Sequence, residues 1–210
     1  MIHDQALKET ALSGEQVFEG KLIRVEHWQV ALPNSRTSMR EVVRHNGAVA
    51  VVPLDENGCV TLVRQYRFAI DQLTWEIPAG KLDSPDEDPL SAARRELEEE
   101  TGLHAANWTR LTTIDTTPGF CDERITLYLA TGLSQHQAHT DEDEFLAVSR
   151  FPLEQAVARV MSGEFRDSKT IIGLLMAQKA HYLSKGEPLF PLSNIQRTRC
   201  SVSSMSENNL

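Results

Sequence analysis

Cysteine is scarce in this chain of 210 residues: there are three, Cys59, Cys121 and Cys200, unevenly spaced. Their placement offers neither a paired disulfide framework nor zinc-type ligand spacing, and it fits a reducing cytoplasm. No apolar run approaches the thickness of a bilayer, and residues 1–11 are too acidic and polar for a signal peptide, so no membrane association is expected. Positive charge is also in deficit, with 21 Lys and Arg against 30 Asp and Glu and a formal net charge of −9. That balance argues against non-specific binding to nucleic acid or an anionic membrane. It leaves room for a phosphorylated small molecule, which local arginines and a metal ion can hold. Aromatic residues are few, and there is neither an internal repeat nor a nucleic-acid-binding module. The length suits one or two domains with an adequate core.

What the chain does have is a concentration of carboxylates in residues 79–103, AGKLDSPDEDPLSAARRELEEETGL. Asp88 is a suitable N-cap, Pro89 fits the first helical position, and Gly102 can adopt the left-handed conformation that ends a helix. Within that helix Leu90, Ala93 and Leu97 share one flank and read as core. Glu96, Glu99 and Glu100 share a neighbouring flank at spacings of three and four. Like charges so placed cost a few tenths of a kcal/mol per pair unless compensated. A hard divalent cation such as Mg²⁺ would compensate them. A solvated, acidic helix surface is the plain alternative.

The same window resembles the signature of the Nudix hydrolases. Its fixed positions fall on Gly80, Glu87, Arg95, Glu96, Leu97, Glu99, Glu100, Gly102 and Leu103, far more of them than a lone glycine motif supplies. Six residues separate Gly80 from Glu87 where the family usually has five, which reads as one inserted residue in the turn. The resemblance implies an α/β fold, a Nudix-type α/β/α sandwich with a mixed sheet. It also implies a Mg²⁺ site formed by Glu96, Glu99, Glu100 and the Ala79 carbonyl, with room for two or more ions and for Mn²⁺ as a substitute. Glu99 and Glu100 thereby count among the catalytic residues. Arg95 is expected to serve as the internal counter-ion of Glu87, and Glu98 to face solvent.

Taken in order, residues 17–30 read as strand, turn and strand, and residues 37–44 as another strand after a turn at Asn34 and Ser35. We assign residues 1–46 to a small N-terminal antiparallel β subdomain whose edges invite burial against a second copy, hence a homodimer. Residues 47–185 form the expected hydrolase domain. It has strands at 48–54, 59–64, 73–77, 111–115, 125–130 and 145–148, and helices at 152–161 and 168–182. Residues 186–210, rich in Ser and Asn, are expected to be partly disordered.

Resemblance to Nudix enzymes acting on ADP-ribose extends further. Pro118, in TTPGFCDE, stands where that subfamily carries a marker proline, and Glu123 is either an assistant to the site or a cap or salt-bridge partner. Arg67 matches a pyrophosphate contact and Arg44 a substrate-binding arginine, with surface exposure as the plain reading of both. Glu76 would bond the base or ribose, or else sit in an ion pair. The acidic run 141–144 reads as solvated loop by composition, whereas the resemblance puts a catalytic glutamate there, Glu144 first and Glu142 second. Leu22 and Met39 occupy positions where related enzymes stack aromatic residues on adenine, with Phe18 and Trp28 nearby. The implied activity is Mg²⁺-dependent hydrolysis of ADP-ribose to AMP and ribose 5-phosphate. The rivals are another nucleoside diphosphate sugar as substrate, a non-catalytic ADP-ribose sensor, or an acidic structural partner.

Overall fold

The computed structural model describes residues 4–136 and 145–185; Glu142, Glu144, Cys200 and the segment 186–210 lie outside them. A short 3-10 turn, Asp4–Leu7, leads into three antiparallel strands: β1 (Thr10–Glu19), β2 (Arg24–Ala31) and β3 (Thr37–Arg44). Ser35 makes the turn before β3 with φ 65°, and the Asn34 side chain accepts the Arg36 N–H at 3.1 Å. Polar residues of this kind tolerate the left-handed corner and bond back to the main chain. Every residue of β1 is exposed in the single chain, including Leu12, Val17 and Phe18.

The body follows with β4 (Ala48–Pro53), β5 (Cys59–Arg67), β6 (Gln72–Glu76), β7 (Ala79–Lys81), α1 (Pro89–Thr101), β8 (Leu103–Asp115), β9 (Arg124–Gln135), β10 (Leu146–Pro152), α2 (Leu153–Met161) and α3 (Ser168–Lys185). One sheet has the order β7-β4-β9-β8, with β4 and β9 parallel and the other pairs antiparallel. A second, antiparallel sheet has the order β10-β5-β6. β4 explains the layering. Val49 and Val51 pack with Ala92, Ala93 and Leu97 of α1, whereas Ala50 and Val52 pack with Leu153, Ala156, Leu174 and Ala177 of α2 and α3. Successive side chains of a strand face opposite ways, so a strand covered on both faces must be apolar throughout. The fold is the expected α/β/α sandwich with a mixed sheet and a small N-terminal antiparallel sheet.

Helix α1 begins and ends as its residues dictate. The Asp88 carboxylate accepts the Ser91 N–H at 3.0 Å, Pro89 follows it, and Gly102, with φ 68°, donates its N–H to the Glu98 carbonyl at 2.7 Å. Several elements are longer than or different from the sequence reading, among them β5, which runs to Arg67, and β10, which runs to Pro152. β1 starts at Thr10, β8 at Leu103, and β9 runs to Gln135. Residues 104–110 lack an apolar alternation, but β8 and β9 pair from Leu103↔Gln135 to Asp115↔Arg124, and this ladder carries them. Residues 79–81, read as a turn, form β7 because Ala79 and Gly80 pair with Ala50 and Val49. Among the described residues no helix is long and apolar enough to cross a membrane.

Leu97 is fully buried between α1 and the sheet. Leu97→Ala is expected to destabilise the fold by about 2–5 kcal/mol, read as a lower urea midpoint at unchanged slope.

Candidate active site

The strand arrangement brings β7 directly beneath α1. Glu96 is 7% exposed and its carboxyl group lies against the backbone of Gly80, where any Cβ would collide with it. Glu100, 2% exposed, accepts the Ala79 N–H through Oε2 at 3.1 Å. Two carboxylates of the helix are therefore gathered on the 79–80 backbone. Glu99 is more open and is joined to Glu96 through Arg95, whose Nη1 donates to both, at 3.1 and 2.7 Å. Arg95 also approaches Glu87 at 3.5 Å and Asp83 at 3.8 Å. The expected Arg95–Glu87 pair thus exists, but Arg95 lies closer to the helix carboxylates. Burial weakens its charge, and the charge of Glu96 with its hydrogen bond more than restores it, raising the pKa further. Glu87 fixes the inserted turn by accepting the Asp83 N–H at 2.7 Å. Glu98 pairs with His104 at 3.0 Å on the exposed side of the helix.

Among the described residues no three His, Cys, Asp or Glu side chains already converge on one point suited to a metal ion. The donor set nevertheless fits Mg²⁺. Glu96 and Glu100 hold hard carboxylate oxygens against the 79–80 backbone, the donor type an oxygen-seeking cation takes, and the Arg95 guanidinium stands on Glu96 and Glu99 as their counter-charge.

The 79–81 backbone opens onto a cavity of about 690 Å³. In the same cavity Arg67 donates to both carboxylate oxygens of Glu76, at 2.8 and 2.7 Å. Lys169 also donates to Glu76, and to Asp167 at 3.0 Å. Asp167 holds the start of α3 by accepting the Thr170 N–H at 2.9 Å, and the Thr170 hydroxyl accepts the Ile77 N–H at 2.9 Å. Burial alone would raise the Glu76 carboxyl, but the Arg67 hydrogen bond and the Lys169 charge outweigh it, bringing the pKa to about 2. Lys81, Arg166 and His45 also line the cavity, whose basic groups are interleaved with the carboxylates of Glu76, Glu123 and Asp167.

Of the residues singled out in the sequence, Arg67, Glu76 and Ala79 line this cavity and Glu96 and Glu100 close on its 79–80 edge. Arg44 and Pro118 are not among its lining. Arg44 is held by Glu26 at 2.9 Å and Asp122 at 3.1 Å, which joins β2 and β3 to the TTPGFCDE loop. Its neighbours His45, Thr116 and Glu123 face the cavity instead. Lys169, Arg166, His45 and Thr116 were not singled out. The run Arg166-Asp167-Ser168-Lys169-Thr170 before an apolar helix is an N-cap signal, but nothing local to it shows that Glu76 lies opposite.

The match to known proteins agrees with this geometry. Residues 44–171 match the NUDIX domain. The chain belongs to the Nudix family. It is 42% identical over 176 residues to the ADP-ribose pyrophosphatase of Bacillus subtilis (strain 168), covering 83% of this chain and 95% of that protein. It is 42% identical over 173 residues to the methanol dehydrogenase activator of Bacillus methanolicus, covering 81% and 93%. The crystal structure of an ADP compounds hydrolase superposes with a TM-score of 0.76 at 25% identity, covering 86% of this chain and 97% of that one. The chain is an enzyme of the Nudix type, and the carboxylates of α1 are those of its signature.

Two outcomes follow from the Nudix site. Gly80→Ala is expected to force the Glu96 carboxyl off the 79–80 backbone and to lower activity about 10²-fold or more in a steady-state assay, since a misplacement of about 1 Å is enough for that. For Glu76 the folded pKa, about 2, lies below its ordinary value of 4.5. Its contribution is complete above about pH 4.5 and disappears as pH falls toward 2. Denaturation measured across that window should therefore show a shallower pH dependence for Glu76→Gln than for the wild type.

Proposed function

We propose that this Nudix protein hydrolyses the diphosphate bond of ADP-ribose in a Mg²⁺-dependent reaction, giving AMP and ribose 5-phosphate. The observation that carries the reading is one cavity with helix carboxylates at its 79–80 edge and with Arg67, Lys169 and Arg166 in its lining. It combines a place for a hard cation with donors for the substrate's phosphates. The names of the relatives support the choice of substrate class.

Glu96, Glu99, Glu100 and the Ala79 carbonyl would hold Mg²⁺, as two or more ions, with Mn²⁺ able to substitute. Bound there, the cation supplies neutralisation of the diphosphate and polarisation of its phosphorus–oxygen bonds. Arg67 turns part of its fork from Glu76 to a phosphate oxygen, a geometry suited to guanidinium. Lys169 keeps Glu76 compensated while that exchange occurs. The oxygen of water bonds to phosphorus, the bridging P–O bond breaks, and the leaving phosphate takes the electron pair. We assign the water's proton to Glu144, with Glu142 as the second choice; both lie outside the described residues.

Leu22 and Met39, exposed on the N-terminal sheet, favour a second reading in which another nucleoside diphosphate sugar is preferred, because neither offers an aromatic face for adenine. Leu12, Val17 and Phe18 expose further apolar surface on that sheet, and we propose that a homodimer covers it. The divisions at residues 46 and 185, a cytoplasmic setting, and a small-molecule partner in place of nucleic acid or membrane belong to the same proposal.

The test is AMP release from ADP-ribose, with Mg²⁺ and with chelator, beside other nucleoside diphosphate sugars. Glu100→Gln keeps an oxygen for the Ala79 N–H but removes charge. It is expected to lower kcat about 10²-fold or more with the melting curve unchanged. A different preferred sugar would select the second reading, and tight binding without turnover would mark a sensor.

A further inference from the structure

We infer that the corner of the cavity formed by His45 and Glu123 recognises a sugar hydroxyl of the substrate, an assignment that rests on the hydrolase reading above. His45 lies between β3 and β4, and its backbone and its ring are each held by a hydrogen bond. Its backbone N–H donates to Asp122 Oδ1 at 2.9 Å, and its Nδ1 accepts the Gly47 N–H at 3.0 Å. The second bond depends on Gly47, whose φ of 95° is one that other residues rarely adopt, and whose carbonyl accepts the Leu82 N–H at 3.0 Å. The His45 side chain is only 9% exposed.

Because Nδ1 accepts an N–H, the ring's own proton is on Nε2. Nε2 has no partner among the described residues, and His45 lines the cavity. A bound molecule therefore meets a fixed donor. Glu123 lines the same cavity and supplies the complement. Its Oε2 accepts the Thr116 hydroxyl at 2.8 Å, whereas Oε1 lies 3.7 Å from His45 Nδ1, too far for a hydrogen bond.

A donor beside an acceptor discriminates between the parts of a nucleoside diphosphate sugar. A phosphate oxygen only accepts, so it would use His45 but meet the like charge of Glu123. A hydroxyl both donates and accepts and satisfies the two together. The phosphates have a better partner in Arg67, which lines the same cavity. The corner is therefore fitted to a sugar hydroxyl.

The test reads kcat/KM with Mg²⁺ and calorimetric affinity under chelator for wild type, His45→Asn and His45→Gln. Three compounds are compared: ADP-ribose, an ADP ethyl ester without the distal sugar, and ADP-ribose with a 2′,3′-dideoxy nucleoside. Asn retains an oxygen for the Gly47 N–H but removes the Nε2 donor, while Gln keeps an N–H at that reach. His45→Asn is expected to reduce the preference for ADP-ribose over the ester about 3- to 10-fold, the value of one neutral hydrogen bond, mostly through KM. Its melting temperature should hold, and His45→Gln should recover part of the loss. If the loss instead vanishes only with the dideoxy compound, the hydroxyl is that of the nucleoside ribose and the inference stands on that sugar. Equal losses on all three compounds, or no loss, overturn it. Should the Asn variant fail to fold, Glu123→Ala is expected to give the same change in preference, and its absence overturns the inference equally. A wild type that hydrolyses none of the compounds removes the hydrolase reading, and the binding preference then decides the hydroxyl assignment alone.

Discussion

The site depends on one close approach: the carboxyl of Glu96 lies against a backbone that has no side chain at Gly80. A helix carrying three facing carboxylates would gain nothing from pointing them into the protein unless something there accepted them. The 79–80 segment does so, through the open face of Gly80 and the Ala79 N–H bound by Glu100. That segment can receive them because β4 fixes it as a strand, and β4 is fixed in turn by α1 on one face and α3 on the other. The apolar packing of Ala93 and Leu97 and the polar contacts of Glu96 and Glu100 thus set the same helix position by independent means.

Another part of the cavity lining is organised by a buried charge. Glu76 is almost completely withdrawn from solvent, and an isolated carboxylate there would be neutralised. Arg67 and Lys169 keep it ionised, and Lys169 is itself shared with Asp167 at the start of α3. Such a network is weak grounds for stability, since well-packed apolar residues often serve as well. What it does is fix two cations at known positions while leaving the guanidinium of Arg67 half in the cavity. Its three elements, β5, β6 and α3, are joined by side chains as well as by packing.

The signature was legible in the sequence because its signals are local. The caps at Asp88 and Gly102, the apolar flank of α1 and the acidic flank beside it all follow from helical spacing. The doubly covered strand β4 was legible as a dense apolar run. The start of β8 was not, because residues such as His104, Asn107 and Thr109 are strand-forming only when β9 pairs with them. Arg44 illustrates a different limit. Its chemistry suits a phosphate, but its position beside Glu26 and Asp122 makes it a tie between the N-terminal sheet and the TTPGFCDE loop. Lys169 and His45 are the converse, ordinary in sequence and brought to the cavity by contacts with Glu76 and Gly47 that no local pattern announces.

The parallel pairing of β4 with β9 sets an order of events for the growing chain. Ala48 meets Ile125 and Pro53 meets Ala130, so the central pair of the sheet joins parts of the polypeptide made far apart in time. Before β9 emerges, β4 can pair within its sheet only with β7, and the closure entropy of the long intervening loop is still unspent. The carboxylate helix can form early from its own caps, but Lys169 arrives only with α3. During synthesis Arg67 and Glu76 precede the carboxylate helix, and the buried Glu76 holds only one of its two cationic partners until the last helix delivers the other.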